Sequence, residues 1–407
     1  MNPSAFEKRV KRRIIAQPQD FFAVCPPGLK TICKNELTAL DPDIQDIDIL
    51  TGGVAFKAKL GLACFATISL GSPSKILMRI ANFKADSFSI LEKKLKQIDW
   101  ELFLPCETDL DIQVTAHKSR LYHSGAISDR CRPIIEAGLS SSAMAESKAL
   151  APGDGADSLT FSRKISKQTL LIRADHDRFE LSLDMSGELL FKRGIKKRIV
   201  SAPLRENLAF AILNNIGFSK QDVLMDPMCG SGTFSMEAAM IQANIPPGFF
   251  RSFAFEQWPG FKKANFKYLK SQAQKKFSLT TSPQIFASDI DVKALSSLDA
   301  AIDQHDFLKT IQTHEINFFD LQPKNVTRQK GVVILNPPYG KRLGRDMDKN
   351  LFYKEIGKKL AADFKGWRAG VIYPEKNLGQ ALGLSLRPMP FFHGGLDLFA
   401  GIGIIRA

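Results

Sequence analysis

No run of apolar residues in this chain approaches the about 20 that a helix needs to cross a bilayer. The basic start, KRVKRRIIAQPQDFF, lacks the apolar core and small-residue cleavage site of a secretory signal. Cysteine is sparse. Cys25, Cys33, Cys64, Cys106, Cys131 and Cys229 form no CxxC pair, and no histidine-rich cluster accompanies them. A disulfide framework and a zinc ribbon are therefore excluded, and the expectation is reduced thiols in a cytoplasmic protein with no metal site. Acid is also in short supply: 42 Asp and Glu stand against 56 Lys and Arg, a net charge of +14. That excess points to a polyanionic partner, a nucleic acid or an acidic membrane surface. The 407 residues, 44% of them hydrophobic, suffice for two cores.

The stretch with the densest chemistry is DVLMDPMCGSGTFSMEAAMIQA, residues 222–243. Val223-Leu224-Met225-Asp226 is a short apolar run ending in an acid, the pattern of a buried parallel strand. A glycine loop follows, and then helical spacing of Thr233, Phe234, Met236, Ala238 and Ala239. Strand, loop and helix form a crevice at the carboxyl end of a sheet, where open α/β folds bind ligands. No Lys follows the glycines, so this is not a Walker phosphate loop. The third glycine of the dinucleotide fingerprint is missing, and the next strand-end acid, Asp289, comes far too late for it. Gly230 and Gly232 allow a ligand close to the backbone, and Asp226 favours a cationic group such as an α-ammonium.

A second stretch, GVVILNPPYGKRLG (331–344), places Asn336-Pro337-Pro338-Tyr339 at the tip of another buried strand. The Asn side-chain oxygen accepts from an exocyclic amine. Pro337 is stiff and presents its carbonyl as a second acceptor. Tyr339 offers a ring for a flipped-out base.

These residues resemble the class I S-adenosylmethionine-dependent methyltransferases that modify exocyclic amines. LSLDMSGELLFKRG (181–194), SAPLRENLA (201–209) and IPPGFFRSFAFEQW (245–258) narrow the likeness to the THUMP-containing ribosomal RNA N2-guanine methyltransferases of the large-subunit L type. The resemblance covers nearly the whole chain. It implies S-adenosylmethionine as cofactor, held by Asp226, Pro227, Met228, Gly230, Gly232, Thr233, Asp289, Ile290, Asn317 and Asn336. It implies Asn336, Pro337 and Tyr339 as catalytic residues. The fold it implies is α/β: a C-terminal doubly wound, Rossmann-like methyltransferase sheet behind an N-terminal α+β region. The N-terminal part would span residues 1–185, ferredoxin-like plus THUMP (about 45–150), and the methyltransferase domain residues 190–407. Ribosomal RNA of the large subunit, precursor or free, would be the partner. Some members of the group are fused to a second methyltransferase that makes 7-methylguanosine; the length of this chain implies one activity.

One departure and a decoy sharpen the reading. The family carries an acid near the cofactor adenine where Asn317 stands; Asn accepts through its carbonyl oxygen, with Asp320 as the fallback. Asp289 ends the second strand and suits ribose hydroxyls. LDLFAGIG (396–403) looks like a cytosine-C5 methyltransferase loop, yet fits better as a last strand reached by a hairpin through His393-Gly394-Gly395. The N-terminal half alternates strands and helices and suggests one or two small α+β units. Within it, Lys118, Arg120 and His123 sit between a strand and a helix and are assigned to RNA, as are Lys192, Arg193, Lys196, Lys197 and Arg198 near the junction. Residues 141–158 read as a loop or insertion, and Ser201 as a helix cap with Pro203 behind it. Competing functions are N6-adenine methylation of RNA or DNA, which shares the Asn-Pro-Pro-Tyr loop, and a non-catalytic RNA-binding assembly factor.

Overall fold

The computed structural model describes residues 4–149, 167–195, 204–280, 282, 284–338 and 348–406, without the side chains of 141–149. Its strands fall into two seven-stranded sheets. The first contains β1 (Gln19–Val24), β2 (Gln45–Leu50), β3 (Gly53–Ala58), β4 (Lys75–Lys84), β5 (Asp109–His117), β6 (Lys167–Asp175) and β7 (Arg178–Asp184). Their order is β2-β3-β1-β4-β7-β6-β5. Of the expected one or two small units, the strands form one continuous sheet: β4 pairs antiparallel with β7 and joins the two groups of strands. Only β5 and β6 run parallel there. The helix Ser124–Ala149 connects β5 onward, so residues 141–149 are helical and not the expected loop. Ser-Ser-Ala-Met-Ala-Glu-Ser-Lys-Ala contains no Gly or Pro, and the breakers begin beyond it.

The second sheet contains β8 (Leu224–Pro227), β9 (Ile285–Asp289), β10 (Ile311–Glu315), β11 (Val332–Leu335), β12 (Arg368–Tyr373), β13 (Arg387–His393) and β14 (Leu396–Ile404). Their order is β10-β9-β8-β11-β12-β14-β13. The first five are parallel, and β14 enters antiparallel between β12 and β13. Residues along β11 alternate between two cores. Val332 and Ile334 face the helices Glu206–Ile216 and Thr233–Gln242, while Val333 and Leu335 face the helix Lys349–Asp363. Cover on both faces explains why such strands are uninterrupted apolar runs. The sheet is doubly wound and Rossmann-like, with LDLFAGIG as its penultimate strand in space. His393 pairs with Leu396 across the two-residue turn Gly394-Gly395, both at positive φ, as a tight hairpin requires.

The two sheets are knitted together. Phe253, Phe255, Trp258 and Phe266 pack into the N-terminal core, although they follow the glycine loop in sequence. Conversely, Leu29 and Ile32 belong to a core of the C-terminal sheet. Trp258 donates its indole N–H to Gln168 Oε1 at 2.8 Å. Arg251 donates to the carbonyls of Ser186, Glu188, Leu189 and Lys192 and so clamps the connecting segment. The helix after that segment starts at Glu206 behind Arg205; Ser201 and Pro203 lie outside the described residues. Among the described residues no helix is long and apolar enough to cross a membrane.

Candidate functional site

The chain order turns at β8. It first builds β9 and β10 on one side and then returns to place β11 on the other. At such a switch point the loops beyond the strand ends part and leave a crevice. Here the crevice is a cleft of 820 Å³, the size of a nucleoside-class ligand site. Met228, Gly230 and Thr233 come to it from the end of β8, Asp289 and Ile290 from β9, Asn317 from beyond β10, and Asn336 and Pro338 from β11. Four stretches far apart in sequence therefore meet at one mouth. Phe318, Phe319, Phe352, Ile316 and Leu204 form apolar walls that sequence reasoning missed. Phe318 and Phe319 stand directly after the singled-out Asn317, so adjacency was the available signal.

The glycine loop is tied down by its own backbone. Met228 and Cys229 donate their N–H groups to Ser288 O at 2.8 and 3.0 Å, and Gly230 donates to Asp289 Oδ2 at 2.7 Å. Met228 adopts φ +77°, an uncommon conformation for a non-glycine residue. Asp289 also accepts from Asp291 N–H at 2.9 Å through Oδ1. Each carboxylate oxygen has a second lone pair, so Asp289 retains acceptor capacity toward the cleft. Asp291 caps the helix Val292–Ile302 by accepting from Lys293 and Ala294. Burial, then the charges of Asp226 and Asp289, push the Cys229 thiol well above its usual range, which disfavours the thiolate a nucleophile needs.

Three expected roles change. Asp226 is fully buried and is not among the cleft-lining residues; its Oδ2 accepts from Ser235 N–H at 3.2 Å and Ser235 Oγ at 2.7 Å. It braces the helix behind the loop and sets a negative charge beneath it. Pro227 is likewise buried outside the lining. Gly232 serves packing, not ligand approach: a Cβ there would stand 2.6 Å from Leu298 Cδ1, at φ +71°. Gly232→Ala should therefore destabilise the fold by at least the about 1–2 kcal/mol of a left-handed non-glycine residue. Chemical denaturation measures it; unchanged stability would mean the helix Val292–Ile302 yields freely.

Asn336 is the most telling residue. Its Oδ1 is buried and has no hydrogen-bond partner among the described residues, yet the residue lines the cleft. A buried acceptor without a donor costs about 1–3 kcal/mol, so it marks a place where a donor is to be bound. Pro337 beside it is buried, and Tyr339 lies outside the described residues. Asn317 lines the cleft and Asp320 does not; Asn317 Oδ1 accepts from Phe319 N–H at 3.0 Å.

The expected RNA contacts divide. Lys118 and Arg120 are exposed, and Arg120 pairs with Asp86 at 2.9 Å. His123 Nδ1 accepts from Ala126 N–H at 3.2 Å and so caps the helix after it. Lys192 is exposed and pairs with Glu188. Arg193 is no RNA contact: its side chain is 2% exposed and ion-paired to Glu237 at 3.0 Å. Lys196, Lys197 and Arg198 lie outside the described residues.

Comparison with known proteins agrees with this geometry. Residues 193–393 match the RMKL-like methyltransferase domain, and residues 20–77 match the RlmL ferredoxin-like domain. The ribosomal RNA large subunit methyltransferase K/L of Cellvibrio japonicus is 32% identical over 92% of this chain. This chain spans 49% of that relative's length. A Synechocystis sp. protein provisionally named an RNA methyltransferase is 30% identical, over 94% of this chain and 95% of its own length. Among solved structures, SMU.472, provisionally a methyltransferase and complexed with SAH, superposes with TM-score 0.82 at 25% identity, covering 96% of this chain and 99% of that one. TrmN from Thermus thermophilus shares the fold at TM-score 0.65 and 17% identity, over 95% and 99% of the two chains. The chain belongs to the RMKL-like family of methyltransferases, with an RlmL-type ferredoxin-like domain ahead of its methyltransferase domain.

Proposed function

We propose that this protein is an S-adenosylmethionine-dependent methyltransferase acting on the exocyclic N2 amine of a guanine in large-subunit ribosomal RNA. The observation that carries the reading is the buried, unpartnered Asn336 Oδ1 at the cleft beyond β11. The described residues fit the cofactor. Asp289 has lone pairs for ribose hydroxyls, and Ile290, 69% exposed at the cleft, offers an apolar surface to a purine. At Gly230 a Cβ would meet nothing within 4 Å, so the loop leaves open space beside its backbone.

The cofactor, when bound, supplies an electrophilic methyl group. The protein's part is to hold the amine, whose lone pair is delocalised into the base. Asn336 Oδ1 accepts one amine hydrogen and the Pro337 carbonyl the other, which favours the pyramidal nitrogen of the transition state. Neither contact requires a strong base before attack. The N-terminal sheet, read as ferredoxin-like and THUMP-type, would hold the RNA, with Lys118, Arg120 and His123 toward phosphates. The net charge of +14 supports a polyanionic substrate.

Asp289→Ala should weaken S-adenosylmethionine binding by about 1.5–3 kcal/mol, the worth of hydrogen bonds to a charged acceptor. Calorimetry giving the wild-type affinity would remove Asp289 from the cofactor site. The substrate is tested by methylating large-subunit RNA with the purified protein and digesting it to nucleosides for mass spectrometry. N2-methylguanosine is expected. N6-methyladenosine would transfer the same two acceptors to adenine, and no methylated nucleoside would favour the assembly-factor reading.

A further inference from the structure

Three side chains of metal-ligand type meet at one end of the N-terminal sheet, and none of them lines the cleft. His117 closes β5, Asp175 closes β6, and the two are register partners in that parallel pair. His176 follows in the turn to β7. His117 Nδ1 lies 3.3 Å from Asp175 Oδ1, and His176 Nδ1 lies 2.8 Å from the same oxygen. One ligand atom from each residue lies within 4.8 Å of the other two.

The backbone around them is already fixed. His176 donates its N–H to His117 O at 3.1 Å, Asp177 donates to Ser119 Oγ at 3.0 Å, and Arg120 donates to Asp177 Oδ1 at 2.7 Å. These bonds tie the β6–β7 turn to the segment leaving β5. His176 and Asp177 are held at φ +51° and +60°, both uncommon for non-glycine residues. Both angles are those that the two-residue hairpin turn between the paired Asp175 and Arg178 requires.

We propose that His117, Asp175 and His176 form a binding site for one divalent ion of borderline softness, with Zn²⁺ as the reference. Two imidazoles and a carboxylate are the donors such an ion takes, whereas Mg²⁺ and Ca²⁺ select oxygen alone. Ligands about 2.0–2.1 Å from a tetrahedral ion stand about 3.3–3.4 Å apart. The His117–Asp175 separation matches that value, and the His176–Asp175 separation is about half an ångström shorter, so the His176 ring has to swing outward by about that much to admit the ion. Arg173 Nη2 sits 3.1 Å from Asp175 Oδ2, which leaves Oδ1 as the one oxygen offered to the ion. Each ring coordinates through Nδ1 as the neutral tautomer protonated at Nε2, and the fourth position is open to water. The site escaped the sequence reading, which expected no metal, because His117 lies 58 residues from Asp175.

The test uses the full-length protein without a histidine tag. Calorimetric titration with ZnCl₂ is expected to show one saturable equivalent. Co²⁺ is expected to give the visible bands of a tetrahedral nitrogen–oxygen site without a thiolate charge-transfer band. His117→Ala and His176→Ala, both at exposed side chains, should each weaken binding roughly tenfold or more, as loss of a ligand requires. His314→Ala, exposed on β10, should leave it unchanged. Absence of saturable binding in the micromolar range overturns the proposal. So does wild-type affinity in either histidine variant, or a Co²⁺–thiolate band, which would place the ion on a cysteine such as the exposed Cys106.

Discussion

Asn336→Ala should lower methyl transfer by about 10²–10³-fold while S-adenosylmethionine binds within a few fold, the loss seen when one preorganised polar group leaves a transition-state site. The physical reason lies in the state of the oxygen. Asn336 Oδ1 is buried, unpartnered among the described residues, and part of the cleft wall. Removing it does not break a hydrogen bond that the described fold uses. The effect should therefore appear in the rate, with no loss of stability. The Pro337 carbonyl would remain, but one acceptor cannot orient an amine that carries two hydrogens. Single-turnover assays under saturating cofactor separate the chemical step from binding. A variant that keeps near-wild-type single-turnover rates would show that the amine is held elsewhere.

Much of this site was legible because local pattern and tertiary position coincide there. An apolar run ending in Asp226, Asp289 or Asn336 is a strand buried on both faces, and its tip must lie at the carboxyl edge of the sheet. Gly230 was read from the loop itself; Met228, Ile290 and Asn317, named from the family resemblance, line the cleft beside it. What the pattern could not distinguish is which way a residue points. Asp226 and Gly232 belong to the same loop as Gly230, yet one braces a helix and the other admits Leu298. A similar limit applies to charge. The run from Lys192 to Arg198 reads as one basic patch, but Arg193 turns inward to meet a glutamate 44 residues away. The apolar walls were missed because an aromatic at a strand end reads as core until the cleft beside it is known. Whether the N-terminal half is one unit or two stayed open for a related reason: the pairing of β4 with β7 joins residues about a hundred positions apart, and no local signal marks it.

Arg193 should be worth more to the fold than any surface cation. Its guanidinium donates Nε to Glu237 Oε1 at 3.0 Å and Nη2 to Glu237 Oε2 at 3.2 Å. Nη2 also donates to Gly71 O at 2.8 Å and Nη1 to Leu190 O at 3.0 Å. One side chain thus joins the segment leaving the N-terminal sheet to the helix behind the glycine loop. Both partners of the ion pair are 2% exposed, so water cannot replace either. Arg193→Ala would take the guanidinium away from a buried carboxylate and two carbonyls, and breaking a buried pair in this way costs about 3–5 kcal/mol. The double variant Arg193→Met with Glu237→Leu removes both charges together and should be less destabilised than Arg193→Ala. Urea unfolding is the measurement, read as a fall in midpoint at constant slope. RNA binding across a salt series tests the competing role of the same residue. If Arg193→Ala unfolded like the wild type and instead flattened the salt dependence, the guanidinium would be meeting phosphate, since each lost phosphate contact lowers the slope by about one. The buried geometry predicts the opposite: a destabilised protein whose folded fraction binds RNA with the wild-type slope.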